Sequence, residues 1–414
     1  MTNDSEERSA VPPANNRDVG NRLPRTAPVL VLGGGIGGLA TALALARQGI
    51  ASRVLERRAE FEPEGAGIQL GPNGTRILAE LGVAEKLEPL AGKPDTLHAR
   101  DAVSGATLAR MPLGRWIAER HGAPYWVAHR SDLHGALLAR VRAEPLISLE
   151  LDFEARRIDD AGGTVTVHDV QGRGESGTAL IAADGIRSRT REDQFDGGPM
   201  RYAGKSAARA VIPASDMPAE IAENATQIWL SPRAHVVHYP VRGGREVAIV
   251  FVRRDPLPSD DWSTEVSQGF VTDTARTFAE PLRRLLDRPG LWRKWALYEL
   301  PPLATWAKGR IALLGDAAHP TLPFLAQGGV LALEDAVVVA ASLAARPQDP
   351  ASALSAYSAA RLDRATRVVA EARRNGRIYH LDGVMAMARN ATMKLTPPAL
   401  LMSRYDWVYG WRAS

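Results

Sequence analysis

The sequence predicts an α/β fold in which a nucleotide-binding sheet is interrupted by a mainly antiparallel β-sheet and followed by a helical C-terminal segment. Three observations support this prediction. Short segments typical of parallel strands, apolar except at Ser52 and Arg53 and each soon followed by glycine or an acidic residue, lie at residues 29–32, 52–55, 180–183 and 311–314. Residues 205–300 show a succession of strand patterns. Residues 351–375 have helical periodicity, and we expect Asn375-Gly376 to end that helix.

Composition limits the function classes open to these 414 residues. The formal charge is only +4 and no Lys/Arg block occurs, which argues against nucleic-acid binding. The absence of cysteine excludes disulfides and thiolate chemistry, and nine histidines without metal-ligand spacing predict no metal. Residues 1–27 are polar and lack the apolar core of a secretory signal, so we expect a disordered tail. No uninterrupted apolar run reaches about 18 residues, so we expect a cytoplasmic protein with no membrane partner.

A glycine-rich turn follows the first strand. Gly33, Gly35 and Gly38 occupy the three glycine positions of G-x-G-x-x-G, ahead of an Ala-rich helix. A side chain at Gly33 or Gly35 would keep the backbone away from a pyrophosphate, and one at Gly38 would push the helix off the strand. Glu56 ends the second strand, where a carboxylate can bind an adenosine ribose. Together these residues predict a dinucleotide site.

Three later segments suit a dinucleotide that is held along its whole length. Arg130 begins a predicted helix and presents a guanidinium to phosphate or to a flavin edge. Asp184-Gly185 follows one apolar strand, and Gly315-Asp316 follows another, ahead of an apolar helix whose first amides lie at Gly328-Gly329. A surface salt bridge for Arg130 and a plain turn for Asp184-Gly185 are the ordinary alternatives. The ordered set favours a flavin over a simple nicotinamide site.

The interrupting sheet presents a patterned face. Glycine and arginine at residues 242–245 predict a hairpin turn between two of its strands. Strand alternation places His235, Val237 and Tyr239 on one face and His238 on the other. The predicted strands are residues 208–212, 226–230, 235–241 and 246–253.

The ordered motifs resemble those of the class A FAD-dependent aromatic hydroxylases. They are most similar to the salicylate hydroxylase, 3-hydroxybenzoate 6-hydroxylase and 6-hydroxynicotinate 3-monooxygenase group. Gly33–Gly38 with Glu56-Arg57 resembles the ADP-binding fingerprint of these enzymes. Asp184-Gly185 resembles their DG motif, associated with both FAD and NAD(P)H, and Gly315-Asp316 resembles their GD motif. Further similarity lies in residues 65–74 and 405–411.

The resemblance implies a Rossmann-like FAD-binding fold with an inserted substrate domain. FAD is the implied cofactor, with NADH or NADPH as a transient electron donor. The implied division is an FAD-binding domain at residues 28–200 and 306–345, a β-sheet substrate domain at 201–305 and a helical region at 346–414. The implied FAD contacts are Gly33, Gly35, Ile36, Gly37, Gly38, Glu56, Arg57, Arg130, Asp184, Asp316, Gly328, Gly329 and Val330.

The implied reaction is hydroxylation of a small aromatic substrate by O2, through a C4a-hydroperoxyflavin. We expect the substrate to be phenolic or N-heteroaromatic, and acidic. A base must take the phenol proton, and the resemblance favours His235, whose residue type titrates near neutrality. Tyr239, Gln69 and Phe324 would contact the substrate with His235, and the carbonyl of Pro323 would lie near the reacting oxygen. The alternative for His235 is a half-buried strand position with a satisfied polar tip.

Departures from the group leave the substrate open. The 3-hydroxybenzoate 6-hydroxylases carry Gln where this chain has Pro323, which disfavours that activity. Phe324 replaces a His of the salicylate and hydroxynicotinate enzymes, and Gln69 replaces a polar pocket residue, which together predict a less polar pocket. A reductase or oxidase on the same scaffold and a non-catalytic FAD-binding protein are the alternative functions. A homodimer, the choice between NADH and NADPH, the ring position and any accompanying decarboxylation stay open.

Overall fold

The computed structural model describes residues 27–61, 67–258 and 263–413. Except for Ala27, the predicted tail lies outside the described residues, as do Gly65 and Ala66 of one segment similar to the hydroxylases. The strands are β1 (Val29–Leu32), β2 (Ser52–Leu55), β3 (Gly67–Leu70), β4 (Thr96–Asp101), β5 (Thr107–Pro112), β6 (Trp126–His129), β7 (Ile147–Glu150), β8 (Ala155–Ala161), β9 (Thr164–Asp169), β10 (Gly174–Gly177), β11 (Ala179–Ala182), β12 (Arg201–Pro213), β13 (Ala225–Leu230), β14 (Ala234–Val241), β15 (Glu246–Arg254), β16 (Thr264–Val266), β17 (Trp292–Glu299), β18 (Ala307–Lys308) and β19 (Ile311–Leu313). The helices are α1 (Ile36–Arg47), α2 (Pro72–Glu80), α3 (Ala84–Leu87), α4 (Gly114–His121), α5 (Arg130–Arg142), α6 (Arg189–Phe195), α7 (Gly269–Ala275), α8 (Glu280–Leu286), α9 (Gly328–Ala345), α10 (Pro350–Tyr379), α11 (Gly383–Leu395), α12 (Pro398–Ser403) and α13 (Asp406–Tyr409).

A six-stranded sheet contains the four apolar strands that the sequence predicts. Its order is β18-β19-β11-β1-β2-β7, and every neighbouring pair except β18-β19 is parallel. Both faces of β1 are buried: Val29 and Val31 pack in the same cluster as α1, and Leu30 and Leu32 pack in the cluster that contains Phe153. Burial on both faces explains why β1 is continuously apolar, whereas β2 begins with Ser52 and a partly exposed Arg53.

An eight-stranded sheet, in the order β16-β17-β12-β15-β14-β13-β4-β5, interrupts the parallel sheet along the chain. The predicted strands are its β12 to β15, and β14 and β15 are antiparallel as the predicted hairpin requires. Two strands, β4 and β5, come from earlier in the chain, and β4 pairs with β13 in parallel. We propose that Thr96–Pro112 be placed with the substrate-binding sheet in the division predicted from the sequence.

Helix α9 lies largely in the interior of the protein. It is long and apolar enough to cross a membrane by length and composition, but more than half of it is buried within the protein. It packs between α1 and α10, and its Glu334 and Asp335 have no accessible surface. The parallel sheet, the inserted mainly antiparallel sheet and the C-terminal helices confirm the predicted fold class.

Helix α10 does not end where the sequence predicts. It continues through Asn375 and Gly376 to Tyr379, so the prediction of a helix end at Asn375-Gly376 is wrong. A Cβ on Gly376 would lie 2.5 Å from the ring of Phe324, and the Asn375 side-chain amide donates to the Phe324 carbonyl at 3.3 Å. Asn375 and Gly376 therefore hold the Phe324 loop against the helix. The start of α10 follows the expected rule, because the N-cap side chain of Asp349 accepts a hydrogen bond from the Ser352 amide.

Candidate active site

Four of the residues predicted as cofactor contacts follow neighbouring parallel strands. In the sheet order β19-β11-β1-β2, the strands are followed by Asp316, Asp184, Gly33 and Glu56 respectively. Because these strands point the same way, the four residues lie along the carboxyl edge, where open α/β sheets bind ligands. With strands about 4.8 Å apart, the row spans roughly 14 Å. A ligand that touches all four must be extended.

A cavity of about 280 Å³ lies at one end of this row. Gly33, Gly35, Glu56, Arg57 and Asp184 are among the residues that line it. The Glu56 carboxylate accepts hydrogen bonds from the backbone amides of Gly34, at 2.7 Å, and Arg58, at 3.0 Å. These bonds fix the direction of the carboxylate and leave it lone pairs for a further donor.

The three motif glycines are required for different physical reasons. Gly33 has φ +102°, and a Cβ there would lie 2.5 Å from the carbonyl oxygen of Ala183. The neighbouring strand therefore excludes a side chain at Gly33, which corrects the expectation that a pyrophosphate does so. A Cβ on Gly38 would overlap the Gly33 carbonyl oxygen, in agreement with the predicted close packing of helix and strand. A Cβ on Gly35 would meet no atom of the described residues within 4 Å, so its open side faces the cavity that it lines.

We expect Gly35→Ala to separate ligand binding from folding. The new methyl group meets no protein atom, and the loss of a glycine N-cap costs at most about 1 kcal/mol of stability. If a pyrophosphate approaches this backbone, FAD affinity should fall by at least about tenfold, roughly 1.4 kcal/mol. Flavin fluorescence titration and urea unfolding of the apoprotein measure the two effects. Gly290→Ala, where a Cβ also meets nothing within 4 Å, is the control, and unchanged FAD affinity in Gly35→Ala would contradict the assignment.

The next two predicted contacts, Ile36 and Gly37, begin helix α1. Ile36 is buried, and a Cβ on Gly37 would lie 2.9 Å from the Leu314 side chain. Both positions therefore face the protein core, and only their backbone amides at the start of the helix are available to a ligand. This suits an anion at a helix N-terminus.

Asp184 has an unsatisfied oxygen in the middle of the row. Its Oδ2 accepts from the amide and hydroxyl of Thr190, at 3.4 Å and 3.1 Å. Its Oδ1 is buried, with no hydrogen-bond partner among the described residues. Burial raises the pKa of Asp184, against the hydrogen bonds from Ser188 and Thr190 that lower it. A ligand hydroxyl or amide donating to Oδ1 would remove the cost of this unpaired acceptor.

Asp316 lies at the other end of the row, beside the start of helix α9. Burial raises the pKa of Asp316, and the charge of Arg130, the first residue of α5, acts in the opposite direction. The side chain is nevertheless exposed, so it lines the wall of a deep cleft. A Cβ on Gly328 would lie 4.0 Å from its Oδ1, and one on Gly329 would lie 2.8 Å from the Ile68 side chain. Asp316, Arg130 and the first α9 amides thus converge on one space.

The remaining predicted contact, Val330, is buried in the first turn of α9. It packs against Gly74, where a Cβ would come within 3.0 Å of the valine methyl group. The Asn73 amide donates to Gln327, the N-cap residue of α9, at 2.9 Å. These contacts orient the start of the helix, with its first amides turned to the cleft.

A buried ionic network holds the two sides of this cleft together, and the sequence analysis missed it. Asp335 accepts from the Gly315 amide at 3.1 Å, from His319 Nε2 at 2.6 Å and from Arg361 Nε at 2.7 Å. Arg361 also pairs with Glu334 at 2.8 Å. Burial alone would raise the pKa of Asp335, but His319 and Arg361 outweigh it and hold the pKa at about 2. Asp335 therefore holds the Gly315 turn and links it to His319 and Arg361.

His235 lies in an aromatic pocket on the face of the eight-stranded sheet. It is only 3% exposed, and its ring centre lies 5.4 Å from those of Phe324 and Tyr379 and 5.0 Å from that of His380. Its Nδ1 hydrogen-bonds with His380 Nε2 at 3.0 Å, while Nε2 has no hydrogen-bond partner in the described part of the chain. Burial lowers the pKa of His235 well below 6.5, assisted by the charges of His380 and Lys205.

The other predicted substrate contacts surround this pocket. Tyr239 lies on the same face, against Gly67, and burial raises its pKa to about 12. Gln69 accepts from the Tyr125 hydroxyl at 2.5 Å, which fixes its amide. The Pro323 carbonyl, predicted to serve oxygen transfer, accepts from the Ala326 amide at 3.3 Å inside a short 3₁₀ turn.

His238 occupies the opposite face of β14. It accepts from the Trp229 indole at 3.0 Å within a separate hydrophobic cluster. Burial lowers its pKa to about 3. The alternation predicted from the sequence therefore separates the two histidines of this strand, and only His235 reaches the pocket.

Sequence reasoning missed the side chains that reach the pocket from distant segments. Tyr379 and His380 come from the end of α10, and Arg209 and Lys205 come from β12. The Tyr379 hydroxyl donates to the Phe324 carbonyl at 3.0 Å, and Lys205 Nζ lies 5.1 Å from the Phe324 ring centre. The one signal available was the alternation of Lys205 and Arg209 along an otherwise small-residue strand.

Comparisons with known proteins agree with this arrangement. Residues 26–372 match the protein family described as FAD binding domain. The chain is 40% identical to 3-hydroxybenzoate 6-hydroxylase of Polaromonas naphthalenivorans, over 94% of this chain and 97% of the relative. It is 35% identical to 3-amino-4-hydroxybenzoate 2-monooxygenase of Streptomyces cremeus, over 94% and 96%. Among solved structures, Klebsiella pneumoniae HpxO complexed with FAD and uric acid has a TM-score of 0.81 at 27% identity, covering 91% of this chain and 95% of that one.

Proposed function

The chain belongs to the FAD binding domain family and is a flavin-dependent aromatic monooxygenase, and we propose that its substrate is a phenolic or N-heteroaromatic acid. NADH or NADPH is the electron donor, and bound FAD supplies the redox and oxygen chemistry. One observation carries the proposal of substrate site. In strand β3, Gly67 lies against Tyr239 and its neighbour Ile68 lies against Gly329. The sheet face that carries His235 and the start of α9 are therefore on the two sides of this one strand.

The residues of the row fit FAD. We assign the ADP half to Gly33, Gly35, the first amides of α1, Glu56 and Arg57, which border the cavity. The open side of Gly35 and the unpaired Asp184 Oδ1 support this assignment. We assign Arg130 to phosphate or the flavin edge, Asp316 to the ribityl hydroxyls, and the amides of Gly328, Gly329 and Val330 to the electron-rich pyrimidine edge.

His235 is the base in this proposal. Its lowered pKa keeps the imidazole neutral at physiological pH, so Nε2 can accept a phenol proton. The bond between Nδ1 and His380 fixes the ring, and if Nδ1 donates, Nε2 is the acceptor that faces the substrate. Removal of that proton makes the ring electron-rich toward the incoming oxygen. Leu322, Phe324 and Leu325, all nearly buried, help to keep water out.

A panel of aromatic acids tests the proposed function. FAD-loaded protein should oxidise NADH or NADPH faster when the matching acid is added, and a hydroxylated product should accumulate. The panel includes 3-hydroxybenzoate. Pro323 disfavours that substrate, but relatives named 3-hydroxybenzoate 6-hydroxylase favour it. Protein that does not take up FAD, or that oxidises NAD(P)H with no product from any acid, would contradict the proposal and favour a reductase, an oxidase or a non-catalytic binder. Since intracellular metabolism supplies NADH and NADPH, we also propose a cytoplasmic location.

A further inference from the structure

Arg209 is a half-buried cation for which no counter-ion occurs among the described residues. It lies on β12, and its Nε atom is buried with no hydrogen-bond partner in that part of the chain. No ion pair or hydrogen bond to its guanidinium occurs within the described residues, and Cζ lies 4.7 Å from the centre of the Trp295 ring. Burial lowers the pKa of Arg209 to about 10, which leaves it charged at neutral pH.

The sheet register places Arg209 on the same face as the candidate base. His235 and Ala207 are both paired with Val252 of β15, and Val237 and Arg209 are both paired with Val250. Arg209 is therefore level with Val237, midway between the rows of His235 and Tyr239. Two strand spacings and two residues separate its Cα from that of His235 by roughly 12 Å. Arg209 is near enough to Tyr239 to lower the pKa of that hydroxyl, and near enough to Arg130 for the second positive charge to lower its own pKa. Together with the register, this places its guanidinium on the side of the sheet that faces the cleft.

A half-buried guanidinium with an unpaired Nε is costly once a ligand excludes water from it, and an anion or several acceptors would remove that cost. The ring of Trp295 covers one face of the guanidinium and holds its plane, which leaves the N–H edges for a planar partner. A carboxylate matches these edges with two parallel hydrogen bonds. Lys205, the other cation on this face of β12, is directed to Phe324 and His235 instead.

We propose that Arg209 binds the carboxylate of the substrate while His235 takes the proton of its hydroxyl group. This inference rests on the proposed function and gives it a substrate geometry. The Cα atoms of His235 and Arg209 are roughly 12 Å apart. The His235 imidazole, the Arg209 guanidinium and one substrate ring fill this distance when the two ring substituents point away from each other. Hydroxyl and carboxylate therefore lie on non-adjacent ring carbons, and 3- or 4-hydroxybenzoate should bind more tightly than the 2-isomer.

Binding to the FAD-loaded protein tests the inference without turnover. The probes are 2-, 3- and 4-hydroxybenzoate and their neutral amides, followed through the absorbance of bound FAD and by calorimetry. Arg209→Met should weaken binding of the preferred acid by roughly 10- to 100-fold and that of its amide by less than about threefold. Arg209→Lys should keep part of the preference for the acid over its amide, because lysine supplies the positive charge but not the two parallel N–H donors of a guanidinium. The control is Arg293→Met. Arg293 is the exposed residue paired with Arg209 across the neighbouring strand, so this variant removes one positive charge outside the pocket and should change the affinity for neither the acid nor the amide.

Each outcome decides between the alternatives. Equal losses for acid and amide, loss of FAD from Arg209→Met, or an acid preference that disappears in Lys205→Met instead would overturn the role of Arg209. A wild-type protein with no preference for any acid over its amide would overturn it too. If Arg209→Met abolishes the acid preference but the wild-type protein forms no hydroxylated product, the inference stands and the proposed reaction fails. If product forms and the preference survives in Arg209→Met, only the inference fails.

Discussion

Replacing His235 with glutamine is expected to lower the rate of hydroxylation by about 10²- to 10⁴-fold, the usual contribution of a positioned base. FAD should remain bound, because His235 lies on the sheet and not in the row of proposed cofactor contacts. NAD(P)H oxidation should continue, with H2O2 released in place of product, since the ring is no longer activated for oxygen transfer. Product yield per NAD(P)H consumed, together with a peroxide assay, measures this change.

The control is His238→Gln, on the opposite face of the same strand. Glutamine keeps an acceptor for the Trp229 indole, so this variant should lose some stability and retain its product yield. The pH dependence is a second test. Because the folded pKa of His235 lies well below 6.5, its base form is complete at neutral pH and product yield should stay level down to pH 6.5. A normal product yield in His235→Gln would refute the role of the base.

Replacing Asp335 with asparagine is expected to cost about 3 kcal/mol of stability, at the lower end for a broken buried ion pair because Arg361 keeps Glu334 as a partner. The variant also removes the charge that the Gly315 amide and His319 contact, so FAD affinity should fall with stability. Urea unfolding of the apoprotein and FAD titration measure the two losses. Arg115→Met, which breaks an exposed pair with Glu119, is the control and should cost less than about 1 kcal/mol.

The sign of the pH effect follows from the depressed pKa. The folded pKa of Asp335 is about 2 against an ordinary value of 3.8, so its stabilisation is complete above pH 3.8 and is lost as the pH falls toward 2. The difference in unfolding free energy between wild type and Asp335→Asn should therefore narrow over that interval. A difference that is equal at pH 7 and pH 3, or no difference at either, would contradict the assigned network.

Local patterns together with the family resemblance predicted the fold class, and local patterns alone indicated which residues would lie in one row at the sheet edge. Gly33 and Glu56 directly follow a strand, and Asp184 and Asp316 come within three residues of a strand end. Parallel strands bring such positions to one edge of a sheet without further information. Alternation likewise separated His235 from His238, because the side-chain period of a strand is fixed at two residues. The roles of these residues stay predictions until the variants are measured.

Contacts between distant segments could not be predicted in this way. The His235–His380 bond joins residues 145 positions apart, and the Asn375–Phe324 bond joins two segments 51 positions apart. Gly376 shows the difference clearly: a glycine near a helix end suggests a cap, but here it admits the Phe324 ring. Only the packed structure distinguishes these two uses of the same residue.

The incorporation of ¹⁸O from ¹⁸O2 into the product of the preferred aromatic acid tests the central claim most directly. FAD-loaded protein supplied with NADH or NADPH should yield a hydroxylated acid that contains one ¹⁸O atom, with NAD(P)H consumed in proportion. Mass spectrometry of the product measures both the added oxygen and its origin. Oxidation of NAD(P)H that ends only in H2O2 with every acid, or a product whose new oxygen comes from water, would contradict the assignment as an aromatic monooxygenase.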